Sequence, residues 1–201
     1  MKSRLRATLR GLWWQKLQGR IRHCFVCGHT LGRKHVSAEG RRRLVCGDCG
    51  EITYINPKVV AGLIPVMPDG RVALLRRDIE PAKGKWSNPA GYMEMGETVA
   101  DAAARETWEE IRAKVKVGEM LGVYSYPDAG VVTIVFLGQV KRGQKPRPGE
   151  ESQEVQLFSA ETIPWADLAF RSTKEALKDW LATTKKRPTA PRLSRRRQLG
   201  K

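Results

Sequence analysis

Three glutamates in the middle of the chain have the spacing of a metal site. Glu106, Glu109 and Glu110 place their side chains along one face of an α-helix, within a single turn. Glu106 and Glu110 also repel each other as an i,i+4 pair, which costs a helix roughly 0.2–0.5 kcal/mol. Because stability alone does not select such a pair, the spacing predicts that the carboxylates bind a cation. The alternative is a solvated surface helix carrying ion pairs such as Asp101–Arg105.

The oxygen ligands of these glutamates favour a hard divalent cation. Carboxylates suit Mg²⁺ or Mn²⁺, and Mg²⁺ usually completes its shell with waters and substrate phosphates. An ion held in this way neutralises phosphate charge, polarises the phosphorus atom and lowers the pKa of a bound water. The glutamates therefore predict an enzyme that cleaves a diphosphate with Mg²⁺ or Mn²⁺ as its catalytic cofactor.

The four cysteines of the chain form a second metal-binding pattern. Cys24 and Cys27 make one Cys-x-x-Cys pair, and Cys46 and Cys49 make another. Two such pairs are typical of a structural zinc, whose four thiolate ligands leave no position open for catalysis. The alternative is a pair of disulfides, which requires an oxidising compartment, and no secretory signal is evident. We therefore expect these cysteines to bind Zn²⁺.

The surrounding segments predict how the glutamates are positioned. Thr98 and Asp101 have the spacing of a capping box, which starts the glutamate helix directly after a glycine-containing loop. A second such pair, Ser172 with Glu175, predicts the start of a final helix. Strand patterns occupy residues 59–66, 72–75, 115–126, 131–137 and 155–158. Strands followed twice by a helix predict an α/β fold.

The loop and helix resemble the Nudix box. The positions that match the family pattern are Gly91, Glu97, Arg105, Glu106, Glu109 and Glu110. Thr107 departs from the pattern by replacing an aliphatic residue, and Arg112 stands where the family has glycine, which puts the exit from the helix in question. The resemblance implies a Nudix α/β/α sandwich with a mixed sheet, preceded by a small four-cysteine zinc ribbon.

The resemblance also implies a division of the chain and roles for its residues. It predicts a basic tail over 1–22, a zinc ribbon over 23–53, a Nudix hydrolase domain over 54–182 and a basic disordered tail over 183–201. The implied ligands of Mg²⁺ or Mn²⁺ are Glu106, Glu109, Glu110, Glu154 and the Ala90 carbonyl. Glu97 and Arg105 orient the loop and helix, while Glu109 and Glu154 take part in catalysis. Glu154 belongs to a later segment of the chain and is called the late carboxylate. Glu150 and Glu151 are the alternatives to Glu154 for this role.

The substrate is inferred from a wider resemblance. The four cysteines, the segment 54–57 and the segment 86–91 are similar to zinc-ribbon Nudix hydrolases, among them plant-type FAD pyrophosphatases and NADH pyrophosphatases. The Ser-Gln-Pro-Trp-Pro sequence of the NADH group is absent. This favours FAD or an ADP-ribose-type dinucleotide, with NAD(H) cleavage and decapping of nucleotide-capped RNA as alternatives. The resemblance also implies a homodimer.

The net charge of +16 lies mainly at the two ends of the chain. Residues 1–22 and 182–201 are rich in Lys and Arg and contain no acid. Such tails favour nonspecific contact with RNA, and an RNA- or ribosome-binding module that uses ribbon and tails is the alternative from another functional class. No apolar run approaches a membrane span, so we expect a cytoplasmic protein, or an organellar one if the basic N-terminus is a transit peptide.

Overall fold

The computed structural model describes residues 20–186, without the side chains of residues 185 and 186. The tail predictions for residues 1–19 and 187–201 lie outside this range. Contacts divide the chain into two compact units, one comprising Met1–Val59 with Ser125–Val132 and the other Val60–Tyr124 with Thr133–Lys201. No helix within residues 20–186 is long and apolar enough to cross a membrane.

The first unit contains a three-stranded antiparallel sheet. Its strands are β1 (Leu31–Val36), β2 (Arg41–Cys46) and β3 (Ile52–Thr53), in the order β1-β2-β3. A 3₁₀ turn at Ser37–Glu39 joins β1 to β2. Cys46 ends β2, so the sheet presents the second cysteine pair directly after a regular strand.

The second sheet has seven strands and carries the predicted Nudix elements. Its main path runs β10-β5-β4-β9-β8, with β6 paired to β5 and β7 paired to β4. The ladders that join β4, β5, β6, β7 and β10 are antiparallel. The bounds are β4 (Lys58–Val66), β5 (Val72–Arg77), β6 (Trp86–Ser87), β7 (Ala90–Tyr92), β8 (Val115–Tyr126), β9 (Val131–Val140) and β10 (Ser152–Phe158).

The first helix, α1 (Val99–Ile111), begins as its sequence predicts. Thr98 accepts a hydrogen bond from the Asp101 N–H, and Asp101 accepts one from the Thr98 N–H, so the capping box is confirmed. The apolar face of α1 packs on three sheet strands through buried side chains. One cluster joins Ala102 and Ala103 to β4, and another joins Ile111 to β5 and β9.

Helix α1 ends at Arg112, the residue that stands where the Nudix pattern has glycine. Arg112 is the C-cap and adopts a left-handed conformation, with φ 49° and ψ 35°. Its N–H donates to the Trp108 carbonyl at 2.9 Å. The helix thus ends in the conformation that glycine favours, and arginine holds it at a cost of roughly 1 kcal/mol.

The second helix, α2 (Arg171–Lys186), corrects one prediction. It starts one residue before Ser172, so Ser172 lies in the first turn and is not the N-cap. The apolar stripe is as expected, because Ala176, Leu177 and Trp180 are buried.

In β4, Leu63 packs against α1, and its neighbour Ile64 on the opposite face is also fully buried. Both faces of the sheet are therefore covered, which confirms the sandwich.

Candidate active site

Glu110 is the most deeply buried carboxylate of the predicted site, with 5% of its surface exposed. Its Oε2 accepts a hydrogen bond from the Ala90 N–H at 2.9 Å, which brings the loop peptide of β7 against the helix. Burial, followed by the charge of Glu106, raises the pKa of Glu110 to about 8. A buried carboxylate in this state gains free energy when a cation replaces its proton.

Glu106 lies against the Gly91 backbone. A Cβ atom built at Gly91 would stand 2.2 Å from the Glu106 carboxylate, so only glycine lets this side chain occupy its position. Burial raises the pKa of Glu106, and the guanidinium of Arg105 opposes that shift. Gly91 therefore serves a close approach of side chain to backbone, because its φ is not in the left-handed region.

Arg105 ties the loop to the helix, as the resemblance implies. Its Nε and Nη2 donate to the two carboxylate oxygens of Glu97, at 3.0 and 2.8 Å. Its Nη1 donates to Glu106 at 2.8 Å and to Glu109 at 3.1 Å. The paired guanidinium and the Glu94 N–H lower the pKa of Glu97 to about 2. One cation thus orients three carboxylates.

The three candidates for the late carboxylate occupy different surroundings. Glu154, in β10, lies 3.1 Å from the Nε of Arg76, its partner in the ladder with β5. Glu150 is exposed, and its nearest cation is Arg112, at 3.9 Å. The charge of Glu151 contributes to the raised pKa of both Glu106 and Glu110. Of the three, Glu151 is the one whose charge is among the main causes of the raised pKa of Glu106 and Glu110.

The segment 147–152 is hydrogen-bonded to the C-terminal end of α1. The Arg147 N–H donates to the Ile111 carbonyl at 2.9 Å. The Glu110 carbonyl accepts both the Gly149 N–H at 2.9 Å and the Ser152 hydroxyl at 2.8 Å. These bonds satisfy carbonyls that a helix end leaves without partners, and they fix the segment that contains Glu151. We call this segment, residues 147–152, the clamp.

Two features of the site escaped sequence reasoning. The clamp has no local signature, and only Gly149 hints at it, because a Cβ there would lie 1.8 Å from the Glu109 carbonyl oxygen. Four cations at the end of β5 and in the loop before β6 each have a partner in the protein, which the sequence did not indicate. Arg76 pairs with Glu154, Arg77 with the Pro81 carbonyl, Lys83 with Asp78 and Lys85 with Asp167.

The four cysteines meet in the first unit with the geometry of a zinc site. The Cys27 Sγ lies 3.4 Å from the Sγ atoms of Cys46 and Cys49, and the Cys24 Sγ lies 3.7 Å from that of Cys49. Thiolates around a tetrahedral zinc are separated by roughly 3.8 Å, given Zn–S bonds of about 2.3 Å. The backbone N–H groups of Cys49 and Asp48 lower the pKa of Cys46 to about 6, which favours the thiolate that zinc requires.

Within residues 20–186, two groups of three or more ligands gather within 4.8 Å of one another. One is the cysteine tetrad, and the other is Cys27 with His29 and Asp48 beside it. The glutamates of α1 form a more open set. The cysteines therefore fit a closed structural site, and the glutamates fit an ion whose shell includes water and substrate.

Comparison with known proteins decides the family. The model of the NUDIX domain matches residues 56–181, and the zinc-ribbon model described as Nudix N-terminal matches residues 22–55. The chain belongs to the Nudix family. It is a Nudix hydrolase with an N-terminal zinc ribbon, as the sequence predicted.

Two of the relatives of this Nudix hydrolase have names that indicate different substrates. An ADP-ribose pyrophosphatase of Methanocaldococcus jannaschii is 37% identical over 133 residues, which cover 64% of this chain and 75% of the relative. An NAD-capped RNA hydrolase NudC of Chromobacterium violaceum is 32% identical over 139 residues, covering 69% of this chain and 51% of the relative. The chain thus spans about half the length of that NudC protein.

A solved structure supports the fold over most of the chain. The crystal structure of a Nudix hydrolase from Nitrosomonas europaea is 38% identical and superposes with a TM-score of 0.77, covering 83% of this chain and 93% of that one. The Nudix assignment therefore rests on sequence and on three-dimensional structure together.

Proposed function

We propose that this Nudix hydrolase is a Mg²⁺- or Mn²⁺-dependent pyrophosphohydrolase of nucleotide diphosphates linked to a second group. The observation that carries the proposal is the buried pair Glu106 and Glu110, held against Gly91 and Ala90 of the loop. Both carboxyls have a raised pKa, so a divalent cation stabilises their ionised forms. Glu109 and the Ala90 carbonyl complete the proposed ligand set.

The proposed reaction is attack of water on one phosphorus of the diphosphate. The new bond joins the water oxygen to phosphorus, the bridging P–O bond breaks, and the water proton passes to a carboxylate base. The bound cation would supply phosphate neutralisation and acidify the water. Arg105 keeps Glu97, Glu106 and Glu109 in place by hydrogen bonds, which is a positioning role.

For the late carboxylate, Glu151 has more support than Glu154, the residue that the resemblance indicates. Glu154 is engaged by Arg76, whereas the charge of Glu151 acts on the buried pair and the clamp fixes its backbone. We propose Glu151 as the base or as an additional ligand. A Glu151→Gln variant is expected to lose about 10²- to 10⁴-fold in kcat. Glu154→Gln is the matched control, and a larger loss in that variant would restore the original assignment.

For the substrate, we propose ADP-ribose or a related dinucleotide such as FAD. The archaeal relative named for ADP-ribose supports the first, and 75% of its length is covered. NAD-capped RNA is the second candidate, because the NudC relatives carry that name. The two candidates share a nucleoside diphosphate, and they differ in what is attached to it.

A substrate panel tests the proposal. The full chain is incubated with Mg²⁺ or Mn²⁺ and with ADP-ribose, FAD, NADH, CoA, dinucleoside polyphosphates or NAD-capped RNA, alongside Glu110→Gln. We expect metal-dependent release of a nucleoside monophosphate from at least one substrate, and its loss by at least about 10²-fold in the variant. Turnover that needs no divalent ion, or that survives in Glu110→Gln, would contradict the proposed site.

A further inference from the structure

The hairpin formed by β1 and β2 of the ribbon concentrates positive charge. The single acid between Leu31 and Cys46 is Glu39, and it accepts hydrogen bonds from the Arg43 guanidinium at 2.7 Å and the Tyr54 hydroxyl at 2.6 Å. The basic residues in the same stretch are Arg33, Lys34, His35, Arg41, Arg42 and Arg43. The excess of cations is therefore a property of this folded hairpin as well as of the two tails.

The register of the hairpin places basic side chains opposite one another. Lys34 pairs with Arg43, and Arg41 lies two positions from Arg43 on the same face. Directly opposed like charges destabilise an antiparallel ladder, whereas opposite charges at the same positions would stabilise it. Lys34 and Arg41 are exposed to solvent. A hairpin needed only to present cysteines would gain from acids at some of these positions, so the pattern points to a negatively charged ligand.

An exposed aromatic ring beside the cations narrows the class of ligand. Tyr54 follows β3 directly, is 51% exposed, and stacks with Arg43, whose guanidinium carbon lies 5.1 Å from the ring centre. Cations that contact phosphates next to an aromatic ring on which a base can stack are typical of surfaces that bind single-stranded nucleic acid. Binding of phosphates alone would not require an exposed aromatic ring beside the cations.

We propose that the β1–β2 hairpin and Tyr54 bind single-stranded RNA. Lys34 and Arg41, which lie on the same face of the hairpin as Arg43, contact its phosphates, and Tyr54 with Arg43 stacks on a base. This goes beyond the proposed hydrolase activity, because it gives the ribbon a ligand of its own in addition to its zinc. The proposal does not depend on which nucleotide the Nudix domain cleaves.

Fluorescence anisotropy of a short labelled single-stranded RNA tests this surface. The protein is the zinc-loaded full chain without added Mg²⁺ or Mn²⁺, so binding is measured apart from hydrolysis. We expect the double variant Lys34→Gln/Arg41→Gln to weaken binding at least about fivefold at low salt. The slope of log K against log salt should fall by about 1.4, because each phosphate contact to a single strand contributes about 0.7.

A charge-matched variant and two tyrosine variants provide the controls. Lys116→Gln/Lys174→Gln removes the same charge from exposed positions outside the ribbon and should change the affinity by less than about twofold. Tyr54→Ala should weaken binding about fivefold or more, whereas Tyr54→Phe keeps the ring and should bind like the wild type.

Three results would overturn the proposal. The first is an equal loss in the two double variants, which would assign RNA binding to net charge or to the tails. The second is unchanged binding by Tyr54→Ala. The third is equally tight binding to anionic phospholipid vesicles that is lost in Lys34→Gln/Arg41→Gln, which would identify a membrane surface instead. Zinc content and ADP-ribose hydrolysis are followed in each variant, and intact values exclude loss of fold as the cause.

Discussion

Gly91 and Glu106 show how one residue without a side chain determines where a functional carboxylate lies. The Glu106 carboxylate occupies the space that a Cβ at position 91 would need. A side chain at this position would not meet rigid backbone, because the conflict is with the far end of Glu106. The protein can therefore fold with a side chain at position 91 by moving the Glu106 carboxylate. We expect such a change to reduce activity more than stability.

We accordingly expect Gly91→Ala to fold and to lose activity. Displacing Glu106 should lower kcat/KM by about tenfold to a hundredfold, because small errors in placement are costly in catalysis. The melting temperature should change by only a few degrees. Steady-state kinetics with the preferred substrate and thermal unfolding measure the two effects. Unaltered kinetics in Gly91→Ala would show that Glu106 is not needed where the structure has it.

Glu97 makes a pH-dependent contribution to stability. Its pKa in the folded protein is lowered from 4.5 to about 2 by Arg105 and the Glu94 N–H. The ionised carboxylate therefore stabilises the folded state above about pH 4.5, and this contribution is lost as the pH falls toward 2. Glu97→Gln should unfold at a lower temperature than the wild type at pH 7. The gap between the two melting temperatures should narrow below pH 4.5, and a gap that widens in acid would refute this role.

The elements around the site could be predicted to different degrees. The capping box of α1 and the strand patterns of β4 and β5 followed from local sequence, because capping residues and strand alternation act on their own neighbours. The start of α2 was misplaced by one residue, since the capping-box spacing at Ser172 does not fix which residue ends the preceding loop. The Glu97–Arg105 link was expected from the family resemblance, and its hydrogen-bond geometry came from the structure.

The clamp could not be predicted from local sequence. It depends on hydrogen bonds from Gly149 and Ser152 to the Glu110 carbonyl, about forty positions earlier in the chain. No spacing rule connects these segments, because the sheet brings β10 beside β5 and so beside the end of α1. The same long-range contacts give Glu151 and Glu154 different surroundings. Their positions in the sequence do not reveal this difference.

Removing the Ser152 hydroxyl tests whether the clamp positions Glu151. Ser152→Ala loses one hydrogen bond, which costs about 0.5–1.5 kcal/mol of stability, and should lower kcat by about tenfold. In a double-mutant cycle with Glu151→Gln, the Ser152 change should have almost no further effect on kcat. Independent losses that multiply in the double variant would show that Ser152 acts on structure alone, without positioning Glu151.

On the scale of the whole molecule, the chain combines two units with different metal chemistry. The ribbon brings four thiolates to one position, and we propose that the carboxylates of the Nudix unit bind an ion whose shell includes water and substrate. The family models match the two parts separately, over residues 22–55 and 56–181. Loss of zinc should therefore unfold the ribbon without removing the ion bound by the glutamates.

The central claim is that the α1 glutamates hold the catalytic divalent ion, and Mn²⁺ binding followed by electron paramagnetic resonance tests it most directly. The free Mn²⁺ signal should fall on addition of the wild-type protein and of Cys46→Ser, whose zinc content is reduced. In Glu106→Gln/Glu110→Gln the zinc content should be unchanged, and the Mn²⁺ affinity should fall at least about a hundredfold. Mn²⁺ binding that persists in the double glutamine variant, or disappears with the zinc in Cys46→Ser, would contradict the account.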